Sequence, residues 1–403
     1  MNKDTASSDR LLIYAAGFLR AAGVGLLGVI FALALAARGF HTGQIGILIA
    51  LGLAGSAFGT FLVTFWADRL GRRKTVILLT LSFVAGGLGL ILSSSFLGLA
   101  FLCFFGMVNT YGRERGALST IEQAILPETV EPSRRTQTLA WYNLFLNSGL
   151  AFGSLLGGLP FLLRDRLGFA PVVSYQPAFF LYMVCGILSL LLYTRLSSRV
   201  EIHGPTPWHK VSAESRRIIT RISLLFGLDS LGGGFLPGTL IAYWFFKRFG
   251  VGEQTLAPLF FLGHMANALS YLAAAWLSRK IGLIRTMVFT HTPANLCLLA
   301  LPFAPTVNIA ILLFLVRECL VEMDLPTRQS YVMAVVAPSE RTIASGVTNL
   351  TRLGAWTIAP AFAGFAMGGA ALSFPLFAGG GIKILYDWLL FLDLRHVRPP
   401  EER

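Results

Sequence analysis

Charged side chains recur inside stretches that are otherwise apolar: Arg20, Arg113, Glu114, Arg115, Glu122, Asp229, Arg317, Glu318, Glu322, Asp324, Arg328, Arg352, Lys383 and Asp387. An ionised group at the centre of a bilayer costs at least about 2.5–3.5 kcal/mol, so such residues are functional candidates. Two kinds of chemistry are open to them: exchanging ion-pair partners and carrying a proton. Glu318 and Glu322 are four apart and share a helix face, and two like charges in a poor dielectric favour proton uptake by one of them. Arg20 and Asp229 lie near the middle of their runs and carry opposite signs. They are expected either to pair and to part when Asp229 is protonated, or to form a static pair, or to be solvated separately. Asp324 and Arg328 are also four apart and read as a structural pair, as do Lys383 and Asp387.

These residues need long apolar helices to carry them. Of 403 residues, 55% are hydrophobic and 13% charged, about half the charged share of a soluble domain, and mean hydropathy is +0.67. That excludes a water-soluble fold, and the net charge of +13 is no nucleic-acid footprint because long apolar runs separate the charges. Crossing a bilayer takes about 20 apolar residues. Twelve such runs occur, near 11–37, 43–66, 75–96, 97–126, 137–163, 177–195, 218–246, 255–277, 286–304, 307–336, 343–367 and 372–392. The polar stretch 197–217 divides them six and six, giving bundles 1–196 and 218–403 joined by a cytoplasmic loop. Only Arg38, Arg164, Arg166, Lys247 and Arg248 fall in loops of one side, and the other loop cations fall opposite. Positive-inside orientation then puts both termini in the cytoplasm.

The halves repeat one another. WADRLGRRKT (66–75) returns as WLSRKIGLIRT (276–286), and EQAILPETVEPSRRT (122–136) aligns with RQSYVMAVVAPSERT (328–342). Arg20 corresponds to Asp229, and Glu122 to Arg328, each with the sign reversed. Duplicated halves around a midplane site are a transporter architecture.

At Asp68-Arg69-Leu70-Gly71-Arg72-Arg73-Lys74 the chain resembles the major facilitator superfamily, whose loop between helices 2 and 3 carries G-x-x-x-D-R-x-G-R-[RK]. Thr64 stands where the family has its leading glycine. Gly149-x3-Gly153-Ser154-x2-Gly157-Gly158 resembles the antiporter motif of helix 5, with serine in place of proline, and Ala355-x3-Ala359-Pro360-x2-Ala363-Gly364 is its partner in helix 11. The resemblance implies an all-α membrane protein, two pseudo-symmetric six-helix bundles, and a central cavity lined by helices 1, 4, 7 and 10. It puts Arg20, Arg113 and Asp229 near that cavity, and Arg113 either binds an anionic substrate group or gates by ion pairing. Tyr14, Phe226 and Tyr243 are expected on an apolar cavity wall. Arg317 occupies a place the resemblance links to proton transfer. Asp68, Arg69, Gly71, Arg72 and Arg73, with Glu122 and Arg328, are expected to form a cytoplasmic gate.

Gly23-Val24-Gly25-Leu26-Leu27-Gly28 matches a dinucleotide fingerprint but lies inside a spanning helix without a preceding strand. No Walker A, HExxH or G-x-S-x-G occurs, and the four cysteines sit singly in apolar runs, so neither an enzyme, a metal nor a cofactor is expected. The expectation is a monomeric multi-pass protein of a plasma (bacterial inner) membrane. It exports a small organic molecule by alternating access in exchange for protons. Proton-coupled uptake, a lipid flippase and a non-transporting receptor are the alternatives.

Overall fold

The computed structural model describes residues 3–113, 116–131, 135–201, 212–323, 328, 341–369 and 371–394, with the backbone alone at 3–6, 68, 135–137, 214, 271, 272, 275, 279, 283, 341–346 and 394. The helices are α1 (Lys3–Ala37), α2 (Thr42–Leu70), α3 (Arg72–Leu92), α4 (Phe96–Phe105), α5 (Ala117–Ile125), α6 (Arg135–Leu156), α7 (Leu159–Leu167) and α8 (Gln176–Thr194). They continue as α9 (Ala213–Gly234), α10 (Gly238–Phe249), α11 (Glu253–Ile281), α12 (Leu283–Ala300), α13 (Val307–Val321), α14 (Arg341–Gly368) and α15 (Phe374–Leu394). Among the described residues there is no strand. In lipid every backbone group must be paired internally, and helices do this within one segment. Seven segments of the described residues are long and apolar enough to cross a membrane, from Ser7–Ala37 to Phe374–Asp393.

Three expected spans are interrupted, the fifth, read over 137–163, by a turn at Gly157-Gly158 between α6 and α7. The fourth, read as continuous over 97–126, is α4 and α5 separated by irregular backbone. Asn109 causes this locally: its side-chain N–H₂ donates to the Arg113 carbonyl (2.8 Å) and its Oδ1 accepts from the Tyr111 N–H (3.0 Å). An Asn that bonds to nearby backbone offers the chain an alternative to helix. Met107 (φ 48°) and Gly112 (φ 80°) take the left-handed turns this requires. The seventh span, read over 218–246, breaks before Pro237, which caps α10; a residue preceding proline is pushed out of helical conformation. The breaks of the fourth and seventh spans meet, with the Gly238 N–H donating to the Tyr111 carbonyl at 3.0 Å.

By contacts the chain forms two units, Met1–Gly204 with Pro237–Phe261, and Pro205–Leu236 with Leu262–Arg403. This differs from the expected boundaries over 237–261. In the first unit α1 packs along α6 with small residues at the seam. A Cβ on Gly153 would lie 1.8 Å from the Ala22 carbonyl oxygen, and one on Gly149 would lie 2.3 Å from that of Phe18. In the second unit α9 packs on α14 in the corresponding way, with Ala359 and Ala363 fully buried. The helix 5 motif residues Gly149, Gly153 and Gly157 are therefore spent on this seam, while a Cβ on Gly158 would make ordinary contact with Ala257 at 3.5 Å.

Both echoed turns adopt one geometry. Gly71 has φ 94° and Gly282 φ 88°. The hydroxyls of Thr75 and Thr286 bond back to the carbonyls of those glycines, each at 2.8 Å.

Gly153→Ala should destabilise the purified protein by about 1–3 kcal/mol, the usual cost of overpacking. Gly354→Ala is the control: its Cβ meets nothing within 4 Å, and alanine favours a helix by roughly 0.5–1 kcal/mol. Thermal unfolding in detergent checks both; equal melting temperatures for the two variants would contradict the seam.

Candidate functional site

Arg20 on α1 and Glu122 on α5 are both fully buried and form an ion pair. Glu122 has both oxygens bonded: besides the guanidinium it accepts from the hydroxyls of Tyr142 (2.7 Å) on α6 and Tyr193 (2.6 Å) on α8. The Arg20 guanidinium also lies 5.9 Å from the Tyr193 ring centroid. A carboxylate with one cation and two hydroxyl donors has exchanged its water for fixed dipoles, which is what makes a buried charge tolerable.

The second unit builds its counterpart with inverted sign. Asp229 on α9 accepts from Arg328 at 3.0 Å and from Lys383 on α15 at 2.6 Å. His291 on α12 stands beside them, its Nε2 3.7 Å from Asp229 Oδ1 and 3.5 Å from Lys383 Nζ. Its Nδ1 contacts Asp387 at 2.7 Å, and Asp387 also accepts from Thr292 (3.0 Å) and Asn295 (3.4 Å). Arg328 lies over the rings of Phe226 (4.8 Å) and Tyr386 (5.6 Å). Asp229, His291, Arg328, Lys383 and Asp387 are each less than a tenth exposed. Two carboxylates face two cations, and the imidazole is the remaining titratable group.

A third polar group lies between α11 and α13. Arg317 pairs with its neighbour Glu318, and Asn267 donates to Glu318 at 2.7 Å. Glu322 is buried at the end of α13. At the meeting of the two helix breaks, Arg113 lies 5.9 Å from the Tyr111 ring centroid, and the Thr239 hydroxyl donates to the Leu27 carbonyl at 3.3 Å. Beyond this junction Glu253, at the start of α11, is held by Arg164 (2.5 Å) and by the Tyr175 hydroxyl.

Several expectations change. In place of an Arg20–Asp229 pair, each residue meets counter-charge inside its own unit. Lys383 and Asp387 face different partners, Asp229 and His291, although they are four apart on one helix. Tyr14 bonds to the Thr138 carbonyl at 2.9 Å and stacks on Phe145, and Phe226 belongs to an apolar core with Ile219, Ile222 and Leu390. Both are buried in the packing of their own units. Tyr243 is buried on α10, with Lys247 5.7 Å from its ring. At the signature turn Gly71 needs its positive φ, and Arg69 is exposed. The backbone N–H groups of Arg72 and Arg73 donate to Glu201 (2.5 and 3.2 Å), an anion where the α3 dipole favours one. The Arg72 side chain holds Glu128 at 2.8 Å and that of Arg73 the Thr194 carbonyl at 2.5 Å. The Asp68 side chain, Glu114, Arg115 and Asp324 lie outside the described residues.

Sequence reasoning passed over His291, Tyr142, Tyr193, Glu201 and Glu253. His291 and the two tyrosines carried a signal, a polar group in an apolar run. Glu201 and Glu253 sit at helix edges, where an acidic residue is unremarkable.

Removing one partner of a buried pair typically costs about 3–5 kcal/mol, so Glu122→Gln or Arg20→Met alone should abolish or severely lower stability. The double variant should lose markedly less than the sum of the two, the signature of direct coupling. Tyr142→Phe should cost about 1 kcal/mol. A double-mutant cycle by thermal unfolding measures this, and strict additivity would refute the pairing.

Comparison with known proteins supplies the frame. A family model described as Major Facilitator Superfamily matches residues 13–360. An uncharacterized membrane protein of Saccharomyces cerevisiae is 24% identical over 96% of this chain and 94% of its own length. The uncharacterized MFS-type transporter YceJ of Bacillus subtilis (strain 168) is 22% identical over 74% of each chain. Among solved structures, the inward-open xylose transporter XylE from E. coli superposes with a TM-score of 0.74, at 14% identity and 98% coverage of both chains. The chain therefore belongs to the major facilitator superfamily and is an integral, multi-pass membrane transporter.

Proposed function

We propose that this transporter exports a small organic molecule in exchange for protons, by alternating access between its two repeats. The observation that carries the reading is the Asp229 cluster. Ionisable groups rarely face each other inside apolar helices unless they serve a substrate or ion pathway, and here five of them do. A carboxylate shared by two cations and flanked by an imidazole can change partners when a proton arrives. The direction rests on the resemblance of Gly149, Gly153, Gly157 and Gly158 to the antiporter motif. Glu318 and Glu322, with Arg317, are the second place where a proton can be held, and Arg20 supports the first repeat's pair.

The substrate site in this reading is the junction of the two helix breaks. Discontinuous helices near the bilayer midplane expose peptide groups to a ligand, and irregular backbone at that depth is tolerated only where it is buried or lines a cavity. Asn109, Tyr111, Arg113 and Gly238 stand there, and Arg113 is the group to receive an anionic substituent. With the positive-inside orientation, Arg164, Tyr175 and Glu253 form an outer latch. Asp68, Arg69, Gly71, Arg72, Arg73, Glu122 and Arg328 belong to the cytoplasmic side.

A thermal-shift screen of purified protein against small organic molecules supplies a ligand, and proteoliposomes with an internal pH dye supply the flux. Outward substrate movement against proton entry is expected under an imposed pH gradient. Asp229→Asn should retain binding while losing most gradient-driven flux. Co-directional movement of substrate and protons would replace antiport by symport. Full coupling in the Asp229→Asn protein would remove Asp229 from the mechanism. Binding without movement would favour a receptor.

A further inference from the structure

We propose that His291 is a proton-binding site, and that a proton on its Nε2 and the ammonium of Lys383 are mutually exclusive partners of Asp229. The reading of proton-coupled transport is needed only for the role of this site in transport; the site itself follows from its neighbours. His291 Nδ1 has Asp387 Oδ1 at 2.7 Å and the Asn295 amide nitrogen at 3.2 Å; the shorter contact is to a carboxylate, which only accepts, and assigns the hydrogen to Nδ1. Lys383 Nζ lies 3.5 Å from Nε2, and an ammonium only donates, so Nε2 presents its lone pair. In this assignment Nδ1 is committed to Asp387 and Nε2 is the nitrogen open to a proton.

A proton added at Nε2 finds a like charge 3.5 Å away on Lys383 and an opposite charge 3.7 Å away on Asp229 Oδ1. That same oxygen is the one Lys383 holds, at 2.6 Å. Imidazolium and ammonium would thus meet at one acceptor atom only 3.5 Å from each other, and the repulsion of two like charges at that distance, rather than a shortage of lone pairs, makes them alternatives. Lys383 is the partner that can leave, because its four-carbon stem is flexible. Arg328 stays on the other oxygen, Oδ2, so Asp229 is never left without a cation.

The remaining charged groups on the elements packed against α12 are accounted for. On α15 these are Lys383, Asp387 and Asp393, and on α9 they are Asp229 and the exposed Arg216, Arg217 and Arg221, of which Arg221 pairs with Asp393. On α13 they are Arg317 and Glu318, which pair with each other, with Glu322 at the helix end. Among the described residues of the first repeat the corresponding carboxylate, Glu122, is completed by tyrosine hydroxyls and not by an imidazole, and imidazole is the side chain whose ordinary titration lies near neutrality.

The test needs no substrate. Imidazole-labelled protein in lipid nanodiscs is followed by solid-state NMR from about pH 9 to about pH 5, across the ordinary histidine range. Replacement of His41, His203, His209, His264 and His396 leaves His291 as the sole histidine. Should that protein not fold, the difference between wild type and His291→Gln isolates the same signal. The expected result is a neutral ring protonated on Nδ1 at the alkaline end and imidazolium at the acid end. Lys383→Met, or Lys383→Gln if the first does not fold, should move the transition upward by about one pH unit or more, as loss of a neighbouring cation does. A ring neutral throughout, or a transition unmoved by loss of Lys383, would overturn the proposal. Wild-type flux indifferent to a pH gradient, with His291 titrating as described, would instead overturn coupled transport and leave the proton site standing.

Discussion

In each repeat a buried ion pair ties the first helix to the fourth, and the rest of the interior is arranged to make that pair tolerable. Arg20 meets Glu122 in one unit, and Asp229 meets Arg328 in the other. Coulomb attraction is indifferent to which helix carries which sign, so duplication followed by reversal preserves the tie. The hydrogen-bond requirements are not symmetric. A carboxylate needs donors, so the supporting cast must follow it from the fourth helix of one repeat to the first helix of the other. Around Glu122 the donors are tyrosines of the fifth and sixth helices. Around Asp229 the second donor is Lys383 of the twelfth. Sign reversal thus forced a different chemistry on the two repeats.

Such pairs work only in fixed geometry, because a buried charge displaced from its partner has no water to fall back on. The close seams of α1 on α6 and of α9 on α14 supply that rigidity. Where Gly153 and Gly149 stand, a methyl group would collide with a carbonyl oxygen, and in lipid this intimate backbone contact, rather than the hydrophobic effect, holds helices together. The residues that resemble a transport motif on helix 5 are also those that place α1, and with it Arg20. Packing and function are not separable at these positions.

Much of this was legible in the chain. Hydropathy located the spans, and the echo of Gly71 in Gly282 was a repeat in sequence before it was a shared positive φ. The sign-swapped correspondences of Arg20 with Asp229 and of Glu122 with Arg328 were visible as well. Which residues would pair was not, since repeat alignment says which positions are equivalent and nothing about which are adjacent. The interruption of the fourth span was hidden because Asn109 acts through its own backbone neighbours, while hydropathy averages over a window. His291 was passed over for a different reason: a single histidine in an apolar helix looks like any core residue until Lys383 and Asp387 arrive from a helix 92 and 96 residues on.

The difference between the repeats bears on how a proton gradient could do work. Two identical static pairs would hold the same charge in every state, and a proton would have nothing to alter. Two identical titratable clusters would take protons independently and let the ion cross without obliging the substrate to move. One cluster of constant charge beside one that gains a proton gives a cycle a single point of entry for the ion. Glu122 has both oxygens engaged, by two phenols and a guanidinium. Asp229 has one oxygen secured by Arg328 and the other held by a lysine that an imidazolium can displace. The physical asymmetry that coupling would need therefore lies in what completes each carboxylate's coordination: two phenols beside the guanidinium of the first repeat, a lysine with an imidazole next to it in the second.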